Sequence, residues 1–291
     1  MEQELNTLGL IGIGQIGLPV AINLIKAGYG VFGYRRSHTQ AFADAGGTPM
    51  GSPSEVARAA KTILMCLPNE EAQLESLDEL IGSLTQDHVV IELGTYRRSF
   101  KLDQASRIKA RGARVLEAEI SGSPPMVTQR RAAFYVGGEA DVYAECEPIL
   151  QAITEHRFHL GAYGNAVTMK LIANYLLTIH TLAAAEAMNL GTRAGFEPHQ
   201  LAQVLAQGAG GSTMFSVRAP LMADRKFSPA PGPFATLEKY LQLGQELTQE
   251  VGSASPLFSA SLPYFQRALE QGMGQEDIAA VIKLIEADSS N

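Results

Sequence analysis

The segment GLIGIGQIGLPVAINLIKAGYGVFGYRRS, residues 9–37, constrains the fold of this chain more than any other. It places three glycines between an apolar, strand-like run and a helical pattern, and a second strand-like run follows. Gly12 permits a tight turn, Gly14 lets a pyrophosphate approach the main chain, and Gly17 lets the helix pack on the strand. This order within about 30 residues predicts a dinucleotide-binding unit rather than an ordinary glycine-rich turn. The loop residues predicted to bind the cofactor are Gly12, Gly14, Gln15, Ile16 and Gly17.

The end of the second strand indicates which dinucleotide is bound. An acidic residue there would accept hydrogen bonds from the ribose 2′-hydroxyl of NAD, but this chain has Arg35, Arg36 and Ser37. These side chains are donors suited to a 2′-phosphate. The sequence therefore favours NADP, with NAD possible, over the alternative of two solvated arginines at a strand end.

The pattern of apolar runs divides the chain into two parts. Up to about residue 160, strand-like runs alternate with helical patterns, as in a parallel sheet covered on both faces. Beyond residue 163 only helical patterns remain. They are expected at 164–192, 197–206, 212–222, 234–251, 256–271 and 275–287. The sequence therefore predicts an α/β domain followed by an all-helical domain.

The long helical pattern carries an unexpected lysine in MKLIAN, residues 169–174. Relative to Lys170, the side chains of Asn174, Thr178 and Thr181 lie at roughly 40°, 80° and 20° around the helix, so they form one polar stripe. The lysine could simply extend its stem to water. Alternatively, it lies in an interdomain cleft, where desolvation and a cationic nicotinamide would lower its pKa and allow proton transfer.

Composition excludes several other classes of protein. The formal net charge is −7 and no Lys/Arg run exceeds two residues, so a nucleic-acid footprint is missing. The two cysteines and six histidines show no metal-ligand spacing, so we expect no metal site. Polar residues in the longest apolar helix argue against a membrane span, and the acidic N-terminus shows no export signal. We expect a cytoplasmic protein.

Several motifs together resemble the β-hydroxyacid dehydrogenase family, which includes 3-hydroxyisobutyrate dehydrogenase and tartronate semialdehyde reductase. They are the glycine loop with YRRS, CLP at 66–68, ISG at 120–122 and GAYGNAVTMKLIAN at 161–174. The resemblance implies a Rossmann N-terminal domain over residues 1–162 and an all-helical C-terminal domain over 163–291, joined by a long interdomain helix. It also implies a homodimer or homotetramer.

The resemblance also assigns roles to individual residues. The family's catalytic lysine and the asparagine four residues later correspond to Lys170 and Asn174. Its substrate-binding Ser-Gly corresponds to Ser121 and Gly122, with Ser123 beside them, and these groups would hold a substrate carboxylate. The remaining cofactor contacts implied by the family are Leu67, Pro68, Thr95 and Lys239.

The chain departs from the family pattern around the substrate residues. Where the family has D-A-P-V-S-G-G, this chain has EAEISGS, with Glu117 and Glu119 for Asp and Pro and with Ser123 for the second glycine. The further departures are Met126, Val127, Arg130 and Tyr240. Glycines that allow a loop to approach a small substrate have acquired side chains, so the pocket is expected to differ. Arg130 and Arg131 could pair with a second acidic group on the substrate.

The function predicted from these residues is NADP-dependent hydride exchange with a small 3-hydroxy acid or its semialdehyde. Lys170 would be the general acid/base, Asn174 would orient it or the substrate, and Ser121, Gly122 and Ser123 would anchor the carboxylate. One alternative is an NADPH-dependent imine or ketimine reductase with a hydroxyl donor such as Tyr240. The other is a non-catalytic NADP-binding protein that uses the altered 121–131 loop for a partner.

Overall fold

The structure is a computed structural model that describes residues 7–290. Residues 1–6, on which the expectation about export rests, and Asn291 lie outside the described residues. The chain divides into two compact units, Met1–Lys170 and Leu171–Asn291. The division falls inside a helix, a few residues beyond the 162/163 boundary expected from the sequence.

The first unit is built on one eight-stranded sheet. Its strands are β1 (Thr7–Ile11), β2 (Gly30–Tyr34), β3 (Thr48–Pro49), β4 (Thr62–Met65), β5 (Val89–Glu92), β6 (Arg114–Ser121), β7 (Ala133–Gly138) and β8 (His156–His159). They follow the order β3-β2-β1-β4-β5-β6-β7-β8. All neighbouring pairs are parallel except β6 and β7. The order reverses between β1 and β4, the kind of position where α/β sheets bind ligands.

Helices cover both faces of this sheet. They are α1 (Gly17–Lys26), α2 (Gln40–Asp44), α3 (Pro53–Ala59), α4 (Glu70–Leu80), α5 (Arg98–Lys109), α6 (Pro124–Thr128) and α7 (Ala140–Ile153). Successive residues of one strand enter opposite cores: Ile91 packs with α1 and α7, while Val90 packs with α3, α4 and α5. This burial on both faces explains why the strands read as continuous apolar runs.

Besides the two-residue strand β3, two features of the sheet were not expected from the sequence. Strand β7 is antiparallel to β6, because the connection over 122–132 contains only the short α6 and is too short for a crossover of about a dozen residues or more. The edge strand β8, HRFH, was missed because its residues alternate between exposed and half-buried and it has no apolar run.

The second unit is helical throughout its described regular elements. Helix α8 (Asn165–Arg193) begins in the first unit and continues into the second, as the interdomain helix was expected to do. The others are α9 (Pro198–Gln207), α10 (Thr213–Asp224), α11 (Phe234–Glu250), α12 (Pro256–Glu270) and α13 (Ile282–Asp288), with 3-10 turns at Met273–Gln275 and Ile278–Val281. The predicted fold class is thereby confirmed.

A buried ion pair organises this helical unit. Arg218 Nη1 lies 2.5 Å from Asp277 Oδ2, and the Asp277 side chain is fully buried. The same carboxylate accepts hydrogen bonds from the backbone N–H groups of Gly232 and Ala279, each at 2.9 Å. Asp277 thus holds the proline-rich segment before α11 against the turn that precedes α13.

Candidate active site

A cavity of about 590 Å³ opens at the carboxyl ends of β1, β2 and β4. Ten of the residues predicted to bind the cofactor line it, and they come from three separate segments of the sequence. They are Gly12, Gly14, Gln15, Ile16, Gly17, Arg35, Arg36, Ser37, Leu67 and Pro68. The fold therefore assembles the glycine loop, the YRRS segment and the CLP loop around one space.

The three glycines of the loop have different geometric reasons to be glycine. Gly12 has φ +96°, and a Cβ there would collide with the carbonyl oxygen of Cys66. A Cβ on Gly17 would collide with the carbonyl oxygen of Gly12. A Cβ on Gly14 would meet no protein atom within 4 Å, so it would project into free space. The loop thus leaves room at Gly14 for a ligand group to approach the main chain.

The start of α1 completes this cradle. The residue before the helix, Ile16, offers no side-chain hydrogen bond to the first turn. The first backbone N–H groups of a helix carry a partial positive charge, and here they face the cavity. The residues present therefore fit a dinucleotide pyrophosphate.

The adenosine end of the cavity contains charges of both signs. Arg35 and Arg36 are exposed where β2 ends, and no acidic residue takes the place expected for an NAD-specific site. Helix α4 contributes Glu75 and Glu79 to the same lining. Arg36 Nη1 lies 3.7 Å from Glu75 Oε2, and both side chains are mostly exposed, so this ion pair is weak. Arg36 can therefore exchange Glu75 for a ligand phosphate at little cost.

Thr95 lies deeper than the cavity lining, in the segment after β5. Its side chain is buried, and its hydroxyl donates a 2.6 Å hydrogen bond to Glu119 Oε2. The Thr95 oxygen is therefore left as an acceptor toward any ligand. Glu119 also acts on Cys66 at the cavity: burial, with help from Glu119, raises the pKa of that thiol to about 12. Cys66 is thus a neutral thiol and no nucleophile.

A cluster of ionisable side chains lies buried behind this region. Lys101 of α5 is fully buried and its ammonium contacts three carboxylates, those of Glu92, Glu117 and Glu119. We call these four residues the Lys101 cluster. Lys101 donates to Glu119 Oε1 and, at 2.9 Å, to the carbonyl oxygen of Gly94. The negative neighbours outweigh burial and raise the pKa of Lys101, so it stays charged.

The three carboxylates of the Lys101 cluster are held differently. Glu117 Oε1 accepts the backbone N–H groups of Gly164 and Ala166 at 2.5 and 2.8 Å, so it binds the start of α8. Glu92 Oε2 accepts the Tyr163 hydroxyl, but its Oε1 has no hydrogen-bond partner within residues 7–290. Burial raises the pKa of Glu92 to about 7, with Lys101 opposing. Glu92 therefore takes up a proton near neutral pH.

Lys170 lies in the second turn of α8 and is only 8% exposed. This burial excludes a lysine that simply extends its stem into bulk water. Burial lowers the pKa of Lys170, and the negative charge of Glu119 opposes that shift. Lys170 is therefore a buried amine whose pKa is moved toward neutrality, as proton transfer requires.

The polar stripe predicted beyond Lys170 is present on α8. Thr178 and Thr181 are buried, and their hydroxyls donate to the backbone carbonyl oxygens of Asn174 and Leu177 at 2.9 and 2.7 Å. These hydroxyls are therefore satisfied within the helix. Asn174 follows one turn after Lys170 and is half-buried.

The predicted substrate residues lie where β6 ends. Ser121 is the last residue of β6, Gly122 follows, and Ser123 precedes α6 without a side-chain hydrogen bond to its first turn. A Cβ on Gly122 would come within 2.9 Å of the Ala132 side chain, so the two ends of the 122–132 loop pack closely here. Met126, one of the departures from the family pattern, is 37% exposed.

Arg130 does not serve as the free substrate clamp considered from the sequence. Its guanidinium donates a 2.7 Å hydrogen bond to the carbonyl oxygen of Gln151. It also lines a different cavity, with Asn23 and Lys26 of α1. Arg130 therefore ties its loop to α7.

Lys239 and Tyr240 lie in the second turn of α11, in the second unit, and both are half-buried. Tyr240 packs against the apolar core of that unit. The cofactor contact expected of Lys239 stays a prediction. Across residues 7–290 no group of three His, Cys, Asp or Glu side chains is arranged to hold a metal ion.

Comparison with known proteins agrees with this geometry. The family described as the NAD binding domain of 6-phosphogluconate dehydrogenase matches residues 7–161. The family described as the NAD-binding domain of NADP-dependent 3-hydroxyisobutyrate dehydrogenase matches residues 164–285. The two matches together cover nearly the whole chain.

Two relatives match over most of their length. The L-threonate dehydrogenase of Cupriavidus necator is 31% identical over 283 residues, which cover 95% of this chain and 95% of the relative. The NAD-dependent L-serine dehydrogenase of Pseudomonas aeruginosa is 28% identical and covers 96% of this chain and 97% of its own.

Solved structures show the same fold. The 3-hydroxyisobutyrate dehydrogenase of Mycobacterium tuberculosis, solved with L-serine, superposes with a TM-score of 0.90 at 23% identity and covers 96% of this chain and 99% of its own. An imine reductase from Pseudomonas sp. superposes with a TM-score of 0.59 at 21% identity, with the same two coverages.

The Lys101 cluster is the feature of the site that sequence reasoning missed. Glu117 and Glu119 were read as departures from a loop motif, and Lys101 was not considered. The available signal was the presence of ionisable residues inside otherwise apolar strands, VVIE and RVLEAEI. Buried charges of this kind require partners.

Proposed function

Because the chain belongs to the β-hydroxyacid dehydrogenase family, we propose that it is an NADP-dependent oxidoreductase of small 3-hydroxy acids and their semialdehydes. Membership makes it an NAD(P)-binding protein of the hydroxy-acid dehydrogenase class. The proposal adds the choice of NADP, the position of the hydroxyl and the role of Lys170.

The observation that carries this proposal is the buried Lys170 with its lowered pKa. A lysine of this kind can give and take a proton at working pH. In the reduction, Lys170 Nζ would donate a proton to the oxygen of the carbonyl as it becomes a hydroxyl. In the oxidation, the neutral amine would accept that proton. The bound nicotinamide supplies the hydride chemistry.

The substrate carboxylate is assigned to the end of β6. There the hydroxyls of Ser121 and Ser123 and the backbone N–H of Gly122 can donate to it, which positions the reacting carbon. Asn174 would orient either Lys170 or the substrate hydroxyl. The residues of the 122–132 loop would then select among substrates by the shape they present.

Substitution of Lys170 tests the catalytic assignment. Lys170→Ala should lower kcat by roughly two to four powers of ten and leave NADP affinity within a few fold, as loss of a general acid/base does. Lys170→Arg should fail as well, because a guanidinium does not release its proton at working pH. Lys109→Ala, at an exposed position of α5, is the control. Turnover of Lys170→Ala near the wild-type rate would refute the assignment.

The choice of NADP is supported by Arg35, Arg36 and Ser37 at the end of β2. Glu75 and Glu79 weigh against it, as does a relative named as NAD-dependent. Initial rates with both cofactors decide the matter, and we expect the lower KM for NADP. Arg35→Ala/Arg36→Ala should raise KM for NADP by about tenfold or more and change KM for NAD little. An equal loss for both cofactors would contradict a 2′-phosphate contact.

The substrate is best sought with an initial-rate panel of 3-hydroxy acids and their semialdehydes. An imine or ketimine reductase is the second candidate, because the fold is also that of an imine reductase and Tyr240 provides a hydroxyl. An amine-forming screen with NADPH separates the two. Tight NADPH binding without turnover in either panel would favour a non-catalytic binding protein.

We further propose a homodimer or homotetramer, as is usual for the family. Light scattering on the purified chain measures its mass directly. A monomer at micromolar concentration would contradict this expectation.

A further inference from the structure

Glu119 occupies a central position between the features described above. It is fully buried on β6, donates no hydrogen bond of its own, and accepts one from Lys101 and one from Thr95. Its charge acts on Cys66 at the cofactor cavity and on Lys170 in α8. Sequence reasoning treated this residue only as a departure from a family proline.

The backbone of β6 places Glu119 on the same side as the residue that binds the start of α8. Glu117 and Glu119 lie on the same face of β6, because Leu116, Ala118 and Ile120 enter the core on the other face. Glu117 holds the N–H of Ala166. Two residues along a strand advance about 6.6 Å, and four residues along a helix advance about 6 Å.

Where β6 and α8 advance in the same direction from this contact, the step from Glu117 to Glu119 matches the step from Ala166 to Lys170. The negative charge of Glu119 raises the pKa of Lys170, which agrees with such a proximity. Glu117 fixes the start of α8.

We propose that Glu119 is a positioning residue that holds the ammonium form of Lys170 in place for proton transfer. The inference rests on the proposed function of Lys170. Glu119 does not act on substrate directly, since it is 0% exposed and both its oxygens are engaged. It acts through Lys170 by its charge.

The hydrogen bonds to Glu119 favour its ionised form, because the Lys101 ammonium donates to Oε1 and the Thr95 hydroxyl donates to Oε2. Burial and the charge of Glu117 raise the pKa of Glu119, while Lys101 and the Thr95 hydroxyl oppose that shift. Glu92 is compensated less well, since Lys101 approaches it only to 3.7 Å. Glu119 thus supplies a negative charge that raises the pKa of Lys170.

Other ionisable groups surround this arrangement, and none of them takes the place of Glu119. In the first unit they come from β5, α5, β6 and the segments that follow β4, follow β5 and precede α8. They are Glu92, Lys101, Glu117, Cys66, Tyr96 and Tyr163. The negative charge of Glu119 raises the pKa of Lys170.

The test is a direct titration of Lys170 in Glu119→Gln. Lysine labelled with ¹³C at Cε reports its own ionisation by NMR, and the Lys170 resonance is identified by its absence in Lys170→Met. Removal of a nearby negative charge destabilises an ammonium, so the Lys170 midpoint should move to lower pH by roughly half a unit to one unit. The lysine-dependent limb of the kcat profile should move in the same direction.

Asp277→Asn is the matched control, because it removes a fully buried carboxylate from an ion pair in the second unit. It should lower stability and leave the Lys170 midpoint unchanged. If Glu119→Gln does not fold, Glu119→Met removes the same negative charge with an apolar side chain of similar length and should also lower the midpoint. An unchanged or raised midpoint in the folded variant overturns the proposal.

The titration needs no substrate, so it separates this proposal from the proposed function. If wild type turns over no hydroxy acid but Glu119→Gln shifts the Lys170 midpoint, the function fails and the role of Glu119 stands. If wild type is active and Lys170→Ala is not, but Glu119→Gln leaves the midpoint in place, the role of Glu119 fails and the function stands.

Discussion

Replacing Glu92 with glutamine should increase the stability of the protein relative to wild type as the pH rises. Glu92 is 3% exposed, and its carboxylate accepts the Tyr163 hydroxyl while one oxygen has no hydrogen-bond partner. Lys101 is shared with two other carboxylates that it approaches more closely. Ionised Glu92 is therefore poorly compensated for the loss of water.

The size of the stability change follows from the shift in the pKa of Glu92. Burial raises the pKa of Glu92 from an ordinary 4.5 to about 7. A group whose folded-state pKa is raised contributes stability that is complete below its unfolded pKa and is lost as the pH rises through the folded one. A separation of about 2.5 units corresponds to about 3 kcal/mol of unfolding free energy. Wild type should lose this amount between about pH 4.5 and pH 7, and Glu92→Gln should not.

The assay is urea unfolding followed by far-UV circular dichroism at pH 5, 6, 7 and 8. The unfolding free energy of Glu92→Gln minus that of wild type should rise by about 2.5 kcal/mol between pH 5 and pH 8, because part of the change has already occurred at pH 5. Glu71→Gln, on the exposed side of α4, is the control and should show no such trend. A difference that stays flat, or that falls as the pH rises, would refute the reasoning, because Glu92 would then be a well-compensated ionised partner of Lys101.

Three further perturbations follow from the geometry. Gly12→Ala places a Cβ at a residue with φ +96° and against the carbonyl oxygen of Cys66. Calorimetry should therefore show NADP binding weakened by more than about tenfold. Wild-type affinity in this variant would contradict the role of the glycine loop in binding the cofactor. Glu117→Ala removes the acceptor of two backbone N–H groups at the start of α8. Hydrogen exchange in the first turn of α8 should therefore accelerate, and the unfolding free energy should fall by about 3 kcal/mol. Unchanged protection from exchange would show that Glu117 does not hold the start of this helix. Burial raises the pKa of the Cys66 and Cys146 thiols to about 12, so mass spectrometry should find both slowly alkylated by iodoacetamide at pH 8. Rapid labelling of the half-buried Cys66 or of the buried Cys146 would contradict the raised pKa of that thiol.

Much of this fold could be predicted because its signals are local. The glycine spacing around Gly12 depends on backbone geometry within a few residues, and the structure places the loop and the YRRS segment on one cavity. The helices of the second unit follow apolar periodicity, so the pattern at 197–206 forms α9 over Pro198–Gln207. Lys170 could be singled out because a lysine in an apolar helix conflicts with its surroundings.

The parts that could not be predicted depend on partners distant in the sequence. The direction of β7 is decided by its connection to β6 and not by its own residues. Lys101 comes from a helix with almost no apolar stripe, and its carboxylates come from β5 and β6. The pairing of one lysine with three glutamates is a property of the folded chain, since no spacing within a single segment encodes it.

The antiparallel pairing of β6 with β7 anchors both ends of the 122–132 loop on the sheet, so the loop can vary without changing the strands. Ser121 pairs with Ala133 in the ladder, so both ends of the loop are clamped to the sheet at adjacent points. Glu117 and Glu119 belong to β6 and precede the loop in the sequence. Glu119 contacts Lys101 of α5 and Glu117 contacts the start of α8, and neither contact involves the loop. The segment between Gly122 and Ala132 is therefore separable, and a loop from a relative with another substrate could replace it while Lys101, Glu117 and Glu119 keep their positions.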